Sequence, residues 1–182
     1  VQIENARLAS GVALLLRDLG MALPAAAFAA GLAAVRWPGR LETLRLHPRL
    51  IVDGAHNGDS ARKLMLALRE IQPSGRLILI LGASADKDLA AIAAALVPHA
   101  AAVIVTQSPH PRAATPQALH AAARPCARGA LLVADDAAAA VAEALRRAQP
   151  DDLICATGSL FIVAAVRAAC GYADAEPAVT QR

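Results

Sequence analysis

The chain has 182 residues, of which 57% are hydrophobic and only 2% aromatic, and its formal net charge is +3. This length supports one well-packed core and at most a second, partial one. Scattered arginines and scarce aromatic residues argue against a nucleic-acid-binding surface. No apolar stretch reaches the ~20 residues of a membrane span, and no signal peptide pattern opens the chain.

The three cysteines, Cys126, Cys155 and Cys170, show neither a CxxC pattern nor the spacing of metal ligands. Cys155 lies in an apolar run typical of a strand, and Cys170 lies late in an apolar helix. We expect free thiols, which fits a cytoplasmic protein. The chain begins at Val1 without an initiator methionine, so we expect a segment of a longer protein.

The first 36 residues predict two helices. Apolar residues recur at helical spacing through residues 8–19, and the predicted helix ends near Gly20. A second helix is predicted to begin at Pro24 and to end before the break at residues 38–39 (Pro-Gly). Two short helices bury too little surface to be stable alone, so we expect them to pack on something else.

From residue 50 onward, apolar strands alternate with amphipathic helices. Five strands are predicted, at residues 50–52, 76–82, 102–106, 130–134 and 153–157. Asp88, Thr115 and the pair Asp135-Asp136 mark the starts of three of the helices. This alternation indicates an α/β fold, a Rossmann-like and mostly parallel sheet with helices on both faces. Right-handed crossovers would bring the strand-end loops to one edge, where such sheets bind ligands.

The first predicted strand runs into a polar loop at residues 53–57 (Asp-Gly-Ala-His-Asn). Asp53 lies too far before the next helix to cap it, and its carboxylate could accept hydrogen bonds from a ribose or a substrate amine, whereas Asn57 could equally cap that helix. His56 could contact a ligand, act as a general base or be an ordinary loop residue. Arg40, in the Pro-Gly turn upstream, is either a phosphate clamp or a surface arginine.

Two glycine turns, at residues 82–84 and 158–159, precede helices and could hold an anion on backbone N–H groups. Neither is a P-loop, because the chain has no GxxxxGK(S/T) pattern, and it has no GxGxxG pattern either. No second histidine lies at metal-ligand spacing from His56, so no metal ligand is predicted. Residues 85–88 (Ala-Asp-Lys-Asp) predict a salt-bridged turn and a helix cap.

Four motifs occur in one order: residues 37–42 (Trp-Pro-Gly-Arg-Leu-Glu), 53–57, 85–88 and 157–160 (Thr-Gly-Ser-Leu). Together they resemble the C-terminal part of the bifunctional dihydrofolate synthase/folylpolyglutamate synthase family, within the Mur ligase superfamily. Residues 1–36 resemble the last helices of that family's central ATPase domain, incomplete here, and residues 37–182 resemble its Rossmann-like C-terminal domain. Residues 2–6 (Gln-Ile-Glu-Asn-Ala) match the family's Q-x-x-N-A helix, whereas Gly58 replaces its usual proline.

The resemblance implies an ATP-dependent ligase that adds L-glutamate to dihydropteroate or to a folate. ATP phosphorylates the acceptor carboxylate, the glutamate amine attacks the acyl phosphate, and ADP and phosphate leave. It implies that Asn5 contacts the adenine, Arg40 the ATP phosphates and Asp53 the ribose region. His56 lies beside the same nucleotide and is the catalytic candidate, and Ser159 helps to place the incoming glutamate.

The same resemblance implies that the P-loop and the Mg²⁺ and carbamate-lysine positions lie upstream of Val1. ATP and Mg²⁺ would then be cofactors of a longer, monomeric chain without nucleic-acid or membrane partners, and this segment alone would be inactive. Two alternatives stay open. One is a Mur-type peptidoglycan amino-acid ligase, which shares the domain fold and a related D-x-A-H-x loop. The other is a non-enzymatic nucleotide-binding module.

Overall fold

The computed structural model describes residues 2–172, so the predicted domain limit at residue 182 lies outside the described residues. The chain divides between Trp37 and Pro38 into two compact units. The first unit contains the two predicted helices, α1 (Gln2–Asp18) and α2 (Ala25–Ala34), and α2 begins directly after Pro24. No residue of α2 is buried. Their assignment to a central ATPase domain stays a prediction.

The second unit is an α/β domain built on a six-stranded sheet. Its strands are β1 (Glu42–Leu46), β2 (Arg49–Asp53), β3 (Leu77–Leu81), β4 (Ala100–Val105), β5 (Ala130–Val133) and β6 (Leu153–Thr157). Its helices are α3 (Gly58–Ile71), α4 (Leu89–Leu96), α5 (Pro116–Ala123), α6 (Ala137–Arg147) and α7 (Leu160–Ala169). The strand order is β1-β2-β6-β3-β4-β5, and every neighbouring pair is parallel except β1 with β2. The predicted mostly parallel sheet is confirmed.

Helices cover both faces of this sheet, as predicted. Side chains of α3, α4 and α5 pack on one face, around Ile51, Leu79 and Val103. Side chains of α6 and α7 pack on the other face, around Val52 and Ile80. Neighbouring residues of a strand point to opposite faces, so a strand covered on both sides must be apolar throughout. All five residues of β3 are buried, which explains its uninterrupted Leu-Ile-Leu-Ile-Leu run.

Polar side chains cap the helices where the sequence predicted helix starts. Asp88 accepts a hydrogen bond from the N–H of Ala91, and Asp136 accepts one from the N–H of Ala139. Thr115 caps α5, whose first residue is a proline. Each such cap satisfies a backbone donor that the helix itself leaves unpaired, a contribution of about 1 kcal/mol.

The sequence missed one strand, because five strands were predicted and the sheet has six. The additional strand is β1, an edge strand in which only Thr43 and Leu44 are buried. Two buried residues make no apolar run long enough to be recognised as a strand. The strand predicted at residues 50–52 also extends through Asp53, which pairs in register with Thr157 of β6. Asp53 is therefore the last residue of a strand.

Within residues 2–172, no helix is long and apolar enough to cross a membrane.

Candidate functional site

The carboxyl edge of the sheet brings together the loops that follow β2, β3 and β6. The N–H of Gly158 donates to the carbonyl of Ala55 over 3.0 Å, joining the β6 loop to the β2 loop. The N–H of Gly82 donates to the carbonyl of Thr157, also over 3.0 Å, joining the β3 loop to β6. These hydrogen bonds make one connected surface of the loops that the sequence placed at this edge.

Asp53 is the last residue of β2, directly before the first of these loops. Its side chain is buried, with 8% of the residue exposed. Oδ1 accepts a hydrogen bond from the N–H of Ala55 at 2.9 Å, and Oδ2 accepts one from the N–H of Leu41 at 3.0 Å. Burial raises the pKa of Asp53 above its usual value, although these two donors and the positive charges of Arg40 and His56 act in the opposite direction. The hydrogen bond from Leu41 to Asp53 thus connects the Arg40 turn to the end of β2.

Arg40 is half-buried in a tight turn between Gly39 and Leu41. The backbone φ angle is +75° at Gly39 and +47° at Leu41, so both neighbours of Arg40 adopt left-handed conformations. The carbonyl of Gly39 accepts a hydrogen bond from the N–H of Gly54 at 2.9 Å. A Cβ atom on residue 39 would lie 2.8 Å from Cγ1 of Val163, so both the left-handed conformation and the packing require glycine there.

His56 is exposed beside this turn. Its Nδ1 lies 3.0 Å from the carbonyl oxygen of Gly54, and its backbone N–H donates to the hydroxyl of Ser60 over 3.1 Å. When Nδ1 donates to this carbonyl, Nε2 is an acceptor in the neutral ring and a second donor in the charged ring. The ring is therefore anchored on one nitrogen and has the other for a ligand or a proton.

The structure gives Asn57 and Ser159 capping roles. Asn57 and Ser60 form a capping box at the start of α3, so the capping alternative left open for Asn57 is the one observed. The Ser159 hydroxyl is buried, donates to the carbonyl of Gly82 over 3.1 Å and accepts from the N–H of Ile162 over 3.2 Å. Its contact with glutamate stays a prediction.

The turn at residues 85–88 matches its structural interpretation. Lys87 pairs with Asp86 at 2.8 Å, and Asp88 caps α4. This turn requires no ligand to explain its charged residues.

Of the five predicted site residues, three converge. Arg40 and His56 lie close enough to Asp53 for their charges to act on its carboxylate. Ser159 lies in the adjoining β6 loop. Asn5 belongs to the first unit, where it is exposed near the start of α1. Their roles in binding and catalysis stay predictions.

Sequence reasoning missed the part played by Glu42. Its Oε2 accepts a hydrogen bond from the N–H of Gly39 at 2.7 Å, which holds the other end of the Arg40 turn. The only signal in the sequence was the position of Glu42 at the end of the motif at residues 37–42. Among the residues described, no group of three or more His, Cys, Asp or Glu side chains could hold a metal ion.

The converging groups are suited to an anion that also carries hydroxyl groups. A guanidinium group pairs with phosphate oxygens through two parallel hydrogen bonds. Each Asp53 oxygen already accepts one N–H, and its second lone pair can accept a hydroxyl. An exposed imidazole N–H can donate to a phosphate oxygen.

Comparison with known protein families identifies the domain. Residues 39–160 match the Mur ligase, glutamate ligase domain. The chain belongs to this family. The matched range includes Arg40, Asp53, His56 and Ser159 and ends at the first residue of α7. The resemblance seen in the four motifs is thereby confirmed.

Similarity to folylpolyglutamate synthases extends over most of this Mur ligase family chain. It is 33% identical over 166 residues to the probable bifunctional folylpolyglutamate synthase/dihydropteroate synthase of Haloferax volcanii, covering 91% of this chain and 19% of that protein. The solved structure of Mycobacterium tuberculosis folylpolyglutamate synthase complexed with ADP and AMPPCP superposes with a TM-score of 0.76 at 32% identity. That superposition covers 88% of this chain and 37% of the other.

A shorter match points to a second branch of the family. The UDP-N-acetylmuramoyl-L-alanyl-D-glutamate--L-lysine ligase of Streptococcus pyogenes is 46% identical over 86 residues, which cover 46% of this chain and 17% of that ligase. All three relatives are much longer than this chain.

Proposed function

We propose that this chain is the C-terminal part of an ATP-dependent ligase that adds L-glutamate to dihydropteroate or to a tetrahydrofolate polyglutamate. The observation that carries the proposal is the convergence of Arg40, Asp53 and His56 at the carboxyl edge of a glutamate ligase domain. The Mycobacterium tuberculosis folylpolyglutamate synthase, which superposes on 88% of the chain, is complexed with ADP and AMPPCP, and this supports nucleotide binding by the whole ligase.

Each converging residue has a distinct task in this proposal. Arg40 pairs with the phosphates of ATP, because its guanidinium is always charged and matches their geometry. Asp53 accepts hydrogen bonds from the ribose hydroxyls while it keeps the Arg40 turn in place. His56 uses Nε2 beside the phosphates, either as a donor or as a proton acceptor. Asn5 contacts the adenine, and Ser159, which caps α7, helps to place the incoming glutamate.

The proposed reaction joins an acid to an amine in two steps. Transfer of the γ-phosphoryl group from ATP to the acceptor carboxylate gives an acyl phosphate and ADP. The amine of L-glutamate then attacks the acyl carbon, and phosphate leaves as the amide forms. This domain contributes binding and charge to the first step, since positioning and electrostatic stabilisation supply most catalysis of phosphoryl transfer.

The residues described here do not form a metal-binding set, so we assign this domain no step that passes through Mg²⁺. We place the Mg²⁺ ligands and the P-loop in the remainder of a longer ligase. When bound there, Mg²⁺ would neutralise charge on the ATP phosphates.

Exchange of Arg40 tests the proposal in the full-length ligase. Arg40→Ala is expected to raise the KM for ATP by about 10- to 100-fold, because a hydrogen bond to a charged group contributes about 1.5–3 kcal/mol. The free energy of unfolding should stay within about 0.5 kcal/mol of the parent value. Arg62→Ala, which removes an exposed arginine paired with Asp59 on α3, is the matched control and should leave KM unchanged. Normal ATP kinetics in a folded Arg40→Ala protein would remove Arg40 from the site.

The 182-residue chain offers a second test, because the proposal assigns it only part of the active site. Purified alone, it should hydrolyse no ATP in response to glutamate and acceptor. Glutamate-dependent ATP turnover by this chain alone would contradict the division of the site.

A peptidoglycan ligase is the second candidate, favoured by the 86-residue match to the Streptococcus pyogenes enzyme. Offering the full-length protein dihydropteroate, a folate and UDP-muramyl peptides separates the two. Glutamate-dependent ADP release with a pteridine acceptor supports the folate ligase. ADP release only with a UDP-muramyl acceptor, with L-lysine offered beside L-glutamate, establishes the second candidate instead.

A further inference from the structure

An ion pair joins β1 to α7, two parts of the second unit that are far apart in the sequence. Glu42 begins β1, and Arg167 lies in the last turn of α7. Nη1 of Arg167 pairs with Oε1 of Glu42, and the two side chains are only 6% and 10% exposed. A buried charge whose partner is removed is left uncompensated, so each residue depends strongly on the other.

The Glu42 carboxylate also holds the Arg40 turn. While Oε1 pairs with Arg167, Oε2 accepts the N–H of Gly39 at 2.7 Å. One carboxylate therefore connects α7 to the residue directly before Arg40. A carboxylate can serve both partners because it has two acceptor oxygens, whereas an amide has only one.

The Arg40 turn needs stabilising contacts such as the one with Glu42 because its backbone is strained. Leu41, directly after Arg40, has a φ angle of +47° and is the only non-glycine residue with positive φ in the described range 2–172. Conformations of this kind persist only where the surroundings fix them. Here Asp53 accepts the N–H of Leu41, Gly54 donates to the carbonyl of Gly39, and Glu42 accepts the N–H of Gly39.

Helix α7, which carries Arg167, is itself packed firmly against the sheet. Its side chains Ile162, Val163 and Val166 are buried against the sheet, and Val163 lies against Gly39. Past the helix, the hydroxyl of Tyr172 donates to the carbonyl of Leu44 in β1 over 2.7 Å, and the Arg167 guanidinium lies 5.8 Å from the centre of the Tyr172 ring. Two contacts thus connect the C-terminal end of α7 to β1: the Arg167–Glu42 ion pair and the Tyr172–Leu44 hydrogen bond.

We propose that the Glu42–Arg167 ion pair is a positioning device that sets the conformation of the Arg40 turn, so that the guanidinium is preorganised for phosphate. This role rests on the proposed function of Arg40. Neither Glu42 nor Arg167 touches the ligand. They act by fixing the backbone on which Arg40 is carried, and preorganised donors bind an anion without the cost of ordering it first.

Amide hydrogen exchange on the 182-residue chain tests the positioning claim without any activity. In Glu42→Gln an amide NH₂ group replaces one of the two acceptor oxygens, so either Gly39 or Arg167 loses the oxygen that it faces. Protection of the Gly39 and Leu41 amides should therefore fall by about tenfold or more. Protection in β3 and β4 should be unchanged. Glu143→Gln is the matched control, because Glu143 pairs with Arg146 and Arg147 on α6, far from the turn in the chain. Unchanged exchange at Gly39 in a folded Glu42→Gln protein would overturn the proposal.

A double-mutant cycle in the full-length ligase tests whether Glu42 acts through Arg40. Glu42→Gln should raise the KM for ATP about tenfold with little change in kcat, and it should add nothing in an Arg40→Ala background. An equal additional rise in that background would show an independent effect and overturn the proposal. The paired variant Glu42→Met/Arg167→Met, which removes both buried charges and the acceptor of the Gly39 N–H, should raise the KM at least as much as Glu42→Gln, and a parental KM would also overturn it.

The two experiments keep this claim separate from the proposed function. If Arg40→Ala does not change ATP kinetics, the phosphate role of Arg40 fails. The exchange result at Gly39 and Leu41 still decides whether the ion pair holds the turn.

Discussion

The two edges of the sheet each bury one aspartate, and they use it differently. Asp152, directly before β6 at the amino edge, is 3% exposed, and Asp53, at the carboxyl edge, is 8% exposed. Asp152 meets the Arg76 guanidinium at 2.6 Å and also accepts the N–H groups of Arg76 and Gln149. Asp53 accepts two backbone N–H groups, and Arg40 and His56 act on it only through their charge.

Opposite pKa shifts follow from these surroundings. Hydrogen bonding to Arg76 lowers the pKa of Asp152 below its usual value, whereas burial raises the pKa of Asp53. At the amino edge, Arg76 and Gln149 supply the hydrogen-bond partners of Asp152. Asp53 is desolvated without a full set of partners, an arrangement that is common where a protein binds a ligand. The raised pKa of Asp53 therefore agrees with the proposed site at the carboxyl edge.

The largest effect on stability is expected at the amino edge. Asp152→Ala leaves the N–H groups of Arg76 and Gln149 without an acceptor and should lower the free energy of unfolding by about 2–3 kcal/mol. Urea denaturation measures the change. Asp151→Ala, which alters the exposed neighbouring side chain, should stay within about 0.5 kcal/mol of the parent protein. A stable Asp152→Ala protein would break the comparison, because the amino edge would then not depend on its ion pair.

A smaller loss is expected from Asn57, which lies in the motif at residues 53–57 but has a structural role. Asn57→Ala removes the side-chain oxygen that accepts the N–H of Ser60 at 2.8 Å and should cost about 1 kcal/mol of stability. Asn57→Asp keeps an acceptor in the cap and should cost less. If Asn57→Ala instead weakened nucleotide binding at unchanged stability, Asn57 would belong with Arg40 and Asp53.

The smallest effects concern pH, and they should have opposite signs at the two edges. The folded pKa of Asp152 lies below 3.8, so its contribution to stability is present above that pH and is lost as pH falls through the folded value. The folded pKa of Asp53 lies above 3.8, so its contribution is present below that pH and is lost as pH rises through the folded value.

Unfolding measured from about pH 3 to pH 6 on the wild type, Asp152→Asn and Asp53→Asn separates these two contributions. The advantage of the wild type over Asp152→Asn should shrink as pH falls. Its advantage over Asp53→Asn should shrink as pH rises. Two differences that change in the same direction would contradict the contrast between the edges.

Local patterns in the sequence were sufficient for most of the fold. The buried run of β3 and the helix caps at Asp88 and Asp136 follow from periodicity and from hydrogen bonding between near neighbours. The edge strand β1 was missed because its neighbour β2, and not its own apolar content, holds it in the sheet. Its pairing with β2 is visible only in the folded chain.

The candidate site was predicted less completely, because its geometry depends on contacts between distant residues. Asp53 was proposed from its position at a strand end. The turn left Arg40 open between a phosphate clamp and a surface arginine, and its phosphate role came from the family resemblance. The bond from the N–H of Leu41 to Asp53 joins residues 12 apart, and the pair of Glu42 with Arg167 joins residues 125 apart. Patterns among neighbouring residues cannot predict contacts between residues so far apart in the sequence. Asn5 was found only through a family resemblance, since by itself it is an ordinary helix residue.

The most direct test of the account is ADP binding by the full-length ligase with each aspartate changed in turn. Asp53→Asn should raise the Kd for ADP by about tenfold, because an amide supplies one acceptor oxygen where the carboxylate supplies two. Asp152→Asn, measured where both proteins are folded, should bind ADP as the wild type does. Equal Kd values for the wild type and Asp53→Asn would contradict the assignment of the nucleotide to the carboxyl edge.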